Sequence, residues 1–236
     1  MCTTVLNKVA TGCKKIDNVL GGGIPAGSIA LLYGEAETGK TTLAMQCAVN
    51  CTRKGYKTIF LDCDGTFSAK RLSQIASEDF KKIAPLIILM KPSNFTEQTS
   101  AIDGLADYIT KSCGLVVIDT ITSLYRVETS EKPEKTFKLN RELNRQMASL
   151  AQIAKTQKIP LIITSQVRSV FNETYVHVEP VATRVLKFWA DIIVAMKPTG
   201  NPQVIKAVLE KNQKKEQPLT CYLRISERGI YDLKAT

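Results

Sequence analysis

Histidine is almost missing from this 236-residue chain, where His177 stands alone. That scarcity disfavours a His-based zinc site and a Ser-His-Asp triad. No Cys-x-x-Cys pair occurs, and the odd total of seven cysteines argues against a complete disulfide framework. Cys47 and Cys51 stand four apart inside an apolar helical pattern and read as small, reduced core residues. No apolar run approaches the roughly 18 residues that cross a bilayer. The opening MCTTVLNKVATGCKK lacks the unbroken apolar core of a signal peptide. Internal repeats are missing too, as is any shift in composition that marks a second domain. The expectation is one soluble, cytoplasmic domain over 1–236 with no membrane partner.

What is present fits an ordinary globular protein, 44% apolar and 23% charged. The net charge of +10 points to an anionic partner such as nucleic acid, through phosphate contacts and counterion release. A generally basic, solvated surface explains the same charge, and composition leaves both readings open.

Strand and helix patterns alternate. SIALLYG (28–34), KTIFLD (57–62), PLIILM (85–90), LVVID (115–119) and PLIITSQ (160–166) read as buried strands. Between them lie helical patterns: one ending at Gly55, one over 68–83, and one over 96–112 that Asn94 caps with Glu97 three residues on. A long helix over about 138–156 carries Leu139, Leu143, Met147, Leu150 and Ala154 on one face. Unbroken apolar strands between helices predict an α/β fold with a mainly parallel sheet covered on both faces. ADIIVAM, QVIKAVLE, TCYLRIS and GIYDL then predict short strands joined by tight turns, a C-terminal antiparallel extension. Two segments resist this packing. ETSEKPEKTFK (128–138) is charged and contains Pro133, which predicts a mobile loop, and RSVFNETYVHVEPVATR (168–184) shows no sustained period. Long loops after the C-terminal ends of parallel strands are where such folds bind ligands.

Gly34-Glu35-Ala36-Glu37-Thr38-Gly39-Lys40-Thr41 fits the P-loop pattern in full, between a strand and a helix, with Thr42 following on the first turn. Backbone N–H groups freed by the glycines turn toward phosphate oxygens, and the helix N-terminus adds favourable partial charge. In such a loop Lys40 reaches the β- and γ-phosphates of ATP, and the Thr41 hydroxyl ligates Mg²⁺. A second acid is expected near the metal at the end of a neighbouring buried strand, and LVVID supplies Asp119. FLDCDGTF (60–67) ends another strand with Asp62 and Asp64. Strand residues two apart share a face, which permits a paired acid site. Asp-Gly is also a common turn signal, and the stretch alone favours the turn.

With these motifs in order, the chain resembles the RecA/RadA recombinase superfamily, in particular the short archaeal RadB paralogues. The likeness runs through TGCKKIDNVLGGGIPAGSIALLYGEAETGKTTLA, IFLDCDGTFSAKRL, LVVIDTITSLYR, LIITSQV and YLRISERGIYDL. It implies a RecA-like P-loop NTPase core. It also implies that Asp64 stands where the family's Glu polarises the attacking water, and that Arg71 stands where an Arg packs against adenine. Gln166 falls where a Gln senses the γ-phosphate and signals to the following DNA-binding loop, here 168–184, with 126–138 as a smaller first loop. There are departures. The family's N-terminal helix–hairpin–helix domain is not expected, because the chain begins almost directly at the ATPase core. None of the seven Phe residues begins the Phe-x-x-Ala segment that links filaments. The resemblance therefore implies an accessory or mediator of a RadA-type recombinase in DNA recombination and repair, associated with the nucleoid. It further implies an ATPase that binds single-stranded DNA, with weak or DNA-modulated hydrolysis.

Arg168, Arg184 and Lys187, in or just beyond the second loop, and Lys211, Lys214 and Lys215 near the C-terminus are candidate DNA contacts. Those in EKNQKKEQ equally suit a solvated charged turn. Phe171 and Tyr175 suit either base stacking or anchoring of the loop. A KaiC-like regulatory ATPase or phosphotransfer protein shares the P-loop block and is the competing reading. The single acid Asp64 and the ISERGIYDL ending weigh against it.

Overall fold

The computed structural model describes residues 6–171, 176–180, 182–212 and 218–233. The strands in chain order are β1 (Lys8–Val9), β2 (Ile24–Pro25), β3 (Ile29–Gly34), β4 (Lys57–Asp62), β5 (Ile87–Met90), β6 (Cys113–Asp119) and β7 (Leu161–Ser165). After them come β8 (Val167–Phe171), β9 (Val176–Pro180), β10 (Ile192–Pro198), β11 (Val204–Lys211), β12 (Leu219–Ser226) and β13 (Gly229–Asp232). Among the described residues, nine strands form one sheet in the order β13-β12-β11-β10-β3-β7-β6-β4-β5. The pairs from β10 to β5 are parallel, and those from β10 to β13 are antiparallel. This is a RecA-like α/β fold, with the antiparallel extension where the sequence pattern predicts it.

Alternation along each strand divides the core. Ala30 and Leu32 of β3 pack with Phe60, Val117 and the helix Lys40–Thr52 on one face. Ile29 and Leu31 pack with Leu61, Ile118 and the helix Thr136–Gln157 on the other. That helix carries the predicted face: Leu143, Met147, Leu150 and Ala154 are buried. Asn94 caps the helix Phe95–Asp103 by accepting from Glu97 N at 2.8 Å, and Glu97 in turn accepts from Ser93 N at 2.8 Å. The six described cysteines are buried free thiols.

Three expectations are corrected. The segment 128–138 is not a loop: the helix Ser123–Glu131 runs into a 3₁₀ turn, Pro133–Lys135, and then into the long helix at Thr136. Pro133 sits at the start of that turn, where no N–H is needed. The Glu128–Lys132 pair, four apart at 2.7 Å, supports the helix, and Tyr125 anchors it edge-on against Phe95. Within 168–184, β8 and β9 form an antiparallel hairpin, and the helix Thr183–Trp189 follows. Their valines and Phe171 suit strands even without a clear alternation. The helix expected over 68–83 is interrupted at Ser77, whose φ is 55°. Tyr175, Lys214 and Lys215 lie outside the described residues, as do the side chains of Arg168 and Phe171.

The first and last sequence blocks meet on the helix Lys40–Thr52. Gln46, buried there, donates to Thr11 O at 2.7 Å and Ile230 O at 2.8 Å, and accepts from Ile230 N at 2.6 Å. The Asp17 carboxylate accepts from Thr11 N at 2.8 Å and Gly12 N at 3.0 Å, and that of Asp232 from Lys14 N at 2.6 Å. Gly229 has φ 121°, and a Cβ there would lie 2.1 Å from Gln46 Oε1. Gly229→Ala is therefore expected to destabilise the fold by about 2–3 kcal/mol, combining a strained backbone with overpacking. Urea denaturation measures it, and a loss below about 0.5 kcal/mol contradicts the packing role.

Candidate functional site

Four adjacent parallel strands, β3, β7, β6 and β4, bring Gly34, Ser165, Asp119 and Asp62 to one rim of the sheet. In open α/β sheets that rim is where ligands bind. β3 ends on Gly34, where a Cβ would lie 2.0 Å from the Met196 carbonyl oxygen, so only glycine lets β3 run this close to β10. Glu37 at φ 62° and Gly39 at φ 83° are left-handed, and Gly39 caps the helix that starts at Lys40. The loop turns its own polar groups inward: Lys40 Nζ donates to Glu35 O at 2.6 Å, and Thr38 Oγ1 to the same oxygen at 2.8 Å. Lys40 and Thr38 are buried, Thr41 and Thr42 half-buried, and Glu35, Ala36 and Glu37 exposed. Burial pushes the Lys40 pKa down, while Asp119, Asp64 and Glu35 oppose that shift.

Asp119 ends β6 with its side chain buried. Thr164 of β7 donates to its Oδ1, while its Oδ2 is buried with no hydrogen-bond partner among the described residues. Burial raises its pKa, and the hydroxyls of Thr164 and Thr41 favour the ionised form. An orphaned carboxylate oxygen beside the Thr41 hydroxyl fits a hard divalent cation. No cluster of three or more His, Cys, Asp or Glu side chains able to hold a metal occurs among the described residues. One acid and one hydroxyl, completed by water and phosphate oxygens, is the donor set Mg²⁺ uses.

The two acids of FLDCDGTF separate in role. Asp62 is buried and accepts from Thr66 N at 3.0 Å and Phe67 N at 3.2 Å, closing the turn after β4. Asp64 is exposed, and its Oδ2 accepts from Gln166 Nε2 at 3.4 Å. Gln166 follows the last residue of β7, and its Oε1 accepts from Arg126 Nη1. Ser68 caps the helix Ala69–Ala76 and sets Arg71 on its first turn. The Arg71 guanidinium donates to Glu227 O at 2.9 Å and Ser226 O at 2.7 Å, at the turn between β12 and β13. The same hairpin approaches the P-loop, because a Cβ at Gly39 would meet Ile230 Cδ1 at 2.8 Å and Ile225 Cδ1 at 3.2 Å.

The basic candidates do not form a set. Lys187 Nζ lies 3.1 Å from the Glu210 carboxylate, which also accepts from the Tyr33 hydroxyl at 2.6 Å. The same ammonium stands 5.2 Å from the centroid of the Tyr33 ring. Lys211 donates to the Ala190 carbonyl, whereas Arg184 is exposed. Thr164 and Arg126 are residues of the site that the sequence pattern does not single out, and Glu210, the partner of Lys187, is likewise unmarked. Thr164 and Arg126 stand inside LIITSQV and LVVIDTITSLYR, next to acids or amides whose neighbours only the sheet order reveals.

The Rad51 family model matches residues 3–233. DNA repair and recombination proteins named RadB are similar across nearly the whole chain. That of Methanosphaera stadtmanae is 33% identical over 91% of this chain and 92% of its own. That of Thermococcus kodakarensis is 35% identical over 96% of this chain and 100% of its own. A crystal structure of a RadB recombinase superposes with a TM-score of 0.82 at 34% identity, covering 96% of this chain and 100% of that one. The chain belongs to the Rad51 family, in its RadB branch.

Proposed function

We propose that this protein binds ATP with Mg²⁺ and single-stranded DNA, and that it acts as an accessory to a RadA-type recombinase in DNA repair and recombination inside the cell. The observation carrying this reading is the convergence of the P-loop, the orphaned Asp119 oxygen and the Asp64–Gln166 pair on one rim of the sheet. Backbone N–H groups of the loop and Lys40 hold the phosphates, and a phosphate oxygen takes over the Lys40 ammonium from the Glu35 carbonyl. Mg²⁺, when bound, would supply neutralisation of the phosphate charge. Thr41 and Asp119 are the residues that hold it, Asp64 orients the attacking water, and Gln166 sits between that acid and β8.

Asp64 is one methylene shorter than Glu, and orientation of water depends steeply on reach. Slow turnover is the consequence. Asp64→Glu is expected to raise kcat by about tenfold, since general-base geometry supplies roughly 10²–10⁴ in well-placed sites. A variant no faster than the parent removes side-chain reach as the limit.

ATP turnover with and without single-stranded DNA, alongside titration of labelled single-stranded DNA at two salt concentrations, tests the whole reading. DNA binding that weakens steeply with salt supports it, and no binding even at low salt overturns the DNA part. The Rad51-family match and the single acid Asp64 disfavour a KaiC-like phosphotransfer protein. Autophosphorylation from labelled ATP would promote that reading.

A further inference from the structure

The chain carries a net charge of +10, yet its phosphate loop holds two carboxylates, Glu35 and Glu37, against the single ammonium of Lys40. Glu35 has a task in the fold. Its carbonyl accepts from Lys40 and Thr38, and its carboxylate helps to keep the Lys40 ammonium charged. Glu37 has no such task. Its side chain is exposed, and it makes no hydrogen bond or ion pair among the described residues. Its backbone nevertheless stands at φ 62°, in the left-handed region that glycine occupies freely and glutamate does not. At Gly39, the other left-handed residue of the loop, the chain does use glycine. The loop therefore holds a strained backbone to keep an acid at position 37, and strain of this kind collects where a site uses it. Backbone N–H groups of the loop draw in an anion. A carboxylate on a loop this short, wrapped around that anion, stays within roughly 10 Å of it, a Debye length at moderate salt.

We propose that Glu37 is a specificity-determining residue that weakens the binding of a nucleoside triphosphate more than that of a diphosphate, by repelling the longer phosphate chain. The repulsion scales with the charge of the ligand, and in complex with Mg²⁺ ATP carries about twice the net charge of ADP. Glu37 thus opposes the pull of Lys40 and of the loop N–H groups, and it opposes that pull least for ADP. The residue governs which nucleotide the resting protein carries, a property separate from how fast ATP is split. This inference rests on the nucleotide-binding reading above, and its test reads binding rather than turnover.

Titration of the parent, Glu37→Gln, Glu37→Asp and Glu37→Gly with methylanthraniloyl-labelled ATP and ADP, in Mg²⁺ and at two salt concentrations, tests it. Glu37→Gln keeps the size of the side chain and the strained backbone and removes only the charge. It is expected to tighten ATP binding about fivefold and ADP binding about twofold, the scale of one screened charge near the ligand. Glu37→Asp keeps the charge and stays near the parent. Glu37→Gly, which also frees the backbone, is expected to gain about as much as Glu37→Gln. Higher salt narrows the gap between the parent and Glu37→Gln, because the repulsion is screened. Equal gains for ATP and ADP, or a gap that salt does not touch, overturn selection by charge. A gain confined to Glu37→Gly makes position 37 a matter of backbone strain alone, against the proposal. Urea denaturation confirms that each variant is folded. Failure of the nucleotide-binding reading is distinguishable: no protein of the series binds either nucleotide and both readings fall, whereas equal affinities of the parent and Glu37→Gln overturn this inference alone.

Discussion

Replacing Lys40 by Ala is expected to lower ATP turnover by roughly 10²- to 10³-fold, the loss that follows when one preorganised charge is taken from a phosphoryl-transfer site. Tight ATP binding is expected to go with it, because Lys40 is the buried cation of the P-loop and no second Lys or Arg stands in that motif. Stability should hardly change. The ammonium is costly to bury, as its depressed pKa records. The carbonyl it leaves, Glu35 O, still accepts from the Thr38 hydroxyl at 2.8 Å. Equilibrium denaturation and titration with a fluorescent ATP analogue separate the two effects. A midpoint close to the parent with binding lost assigns Lys40 to the ligand, whereas binding as tight as the parent removes it from the site.

Much of this site is legible in the amino-acid sequence alone, for a physical reason. A P-loop is a local device in which consecutive residues supply the turn, the cation and the helix start, so its sequence carries its geometry. Asp119 is legible because an acid ending a run of apolar residues is costly to place at a buried strand end without a task. The division of labour between Asp62 and Asp64 is legible through the family resemblance, which sets Asp64 at the water-polarising position, and not through local spacing. It depends on which carboxylate the turn's own N–H groups of Thr66 and Phe67 claim, and residues two apart look equivalent in a strand. Contacts between distant segments leave still less trace. Gln46 joins Thr11 to Ile230, which lies 184 positions away in the chain, and nothing in the helical pattern around Gln46 marks it out. Lys187 reads as a free cation in the sequence because Glu210, its partner, reaches it only through the pairing of β10 with β11. The helix over 123–131 is hidden by Pro133 and by charge, both of which a loop and an exposed helix end tolerate equally.

Replacing Asp119 by Asn should move stability and ligand binding in opposite directions. Burial holds the Asp119 pKa above the ordinary carboxylate value, so the folded chain keeps a proton there that the unfolded chain has lost. Across the window from the ordinary value up to the raised one, the ionised carboxylate increasingly costs the ligand-free fold, and stability from this group falls as pH rises. Mg²⁺ competes for the ionised form, so its stabilising effect with ATP is absent at low pH and grows through that same window. Asn cannot ionise: the ligand-free variant should lose the pH dependence contributed by this group, and the neutral amide still offers an oxygen to Thr164. What it cannot offer is charge at the position of the orphaned Oδ2. The Mg²⁺-dependent gain in ATP affinity is therefore expected to fall roughly 10- to 100-fold, the scale seen when groups around a bound metal are altered. Thermal denaturation of parent and variant from acid to neutral pH, with ATP and with or without Mg²⁺, reads both effects at once. An Asn variant that Mg²⁺ stabilises as strongly as the parent at neutral pH would place the metal elsewhere and leave Asp119 a structural partner of Thr164.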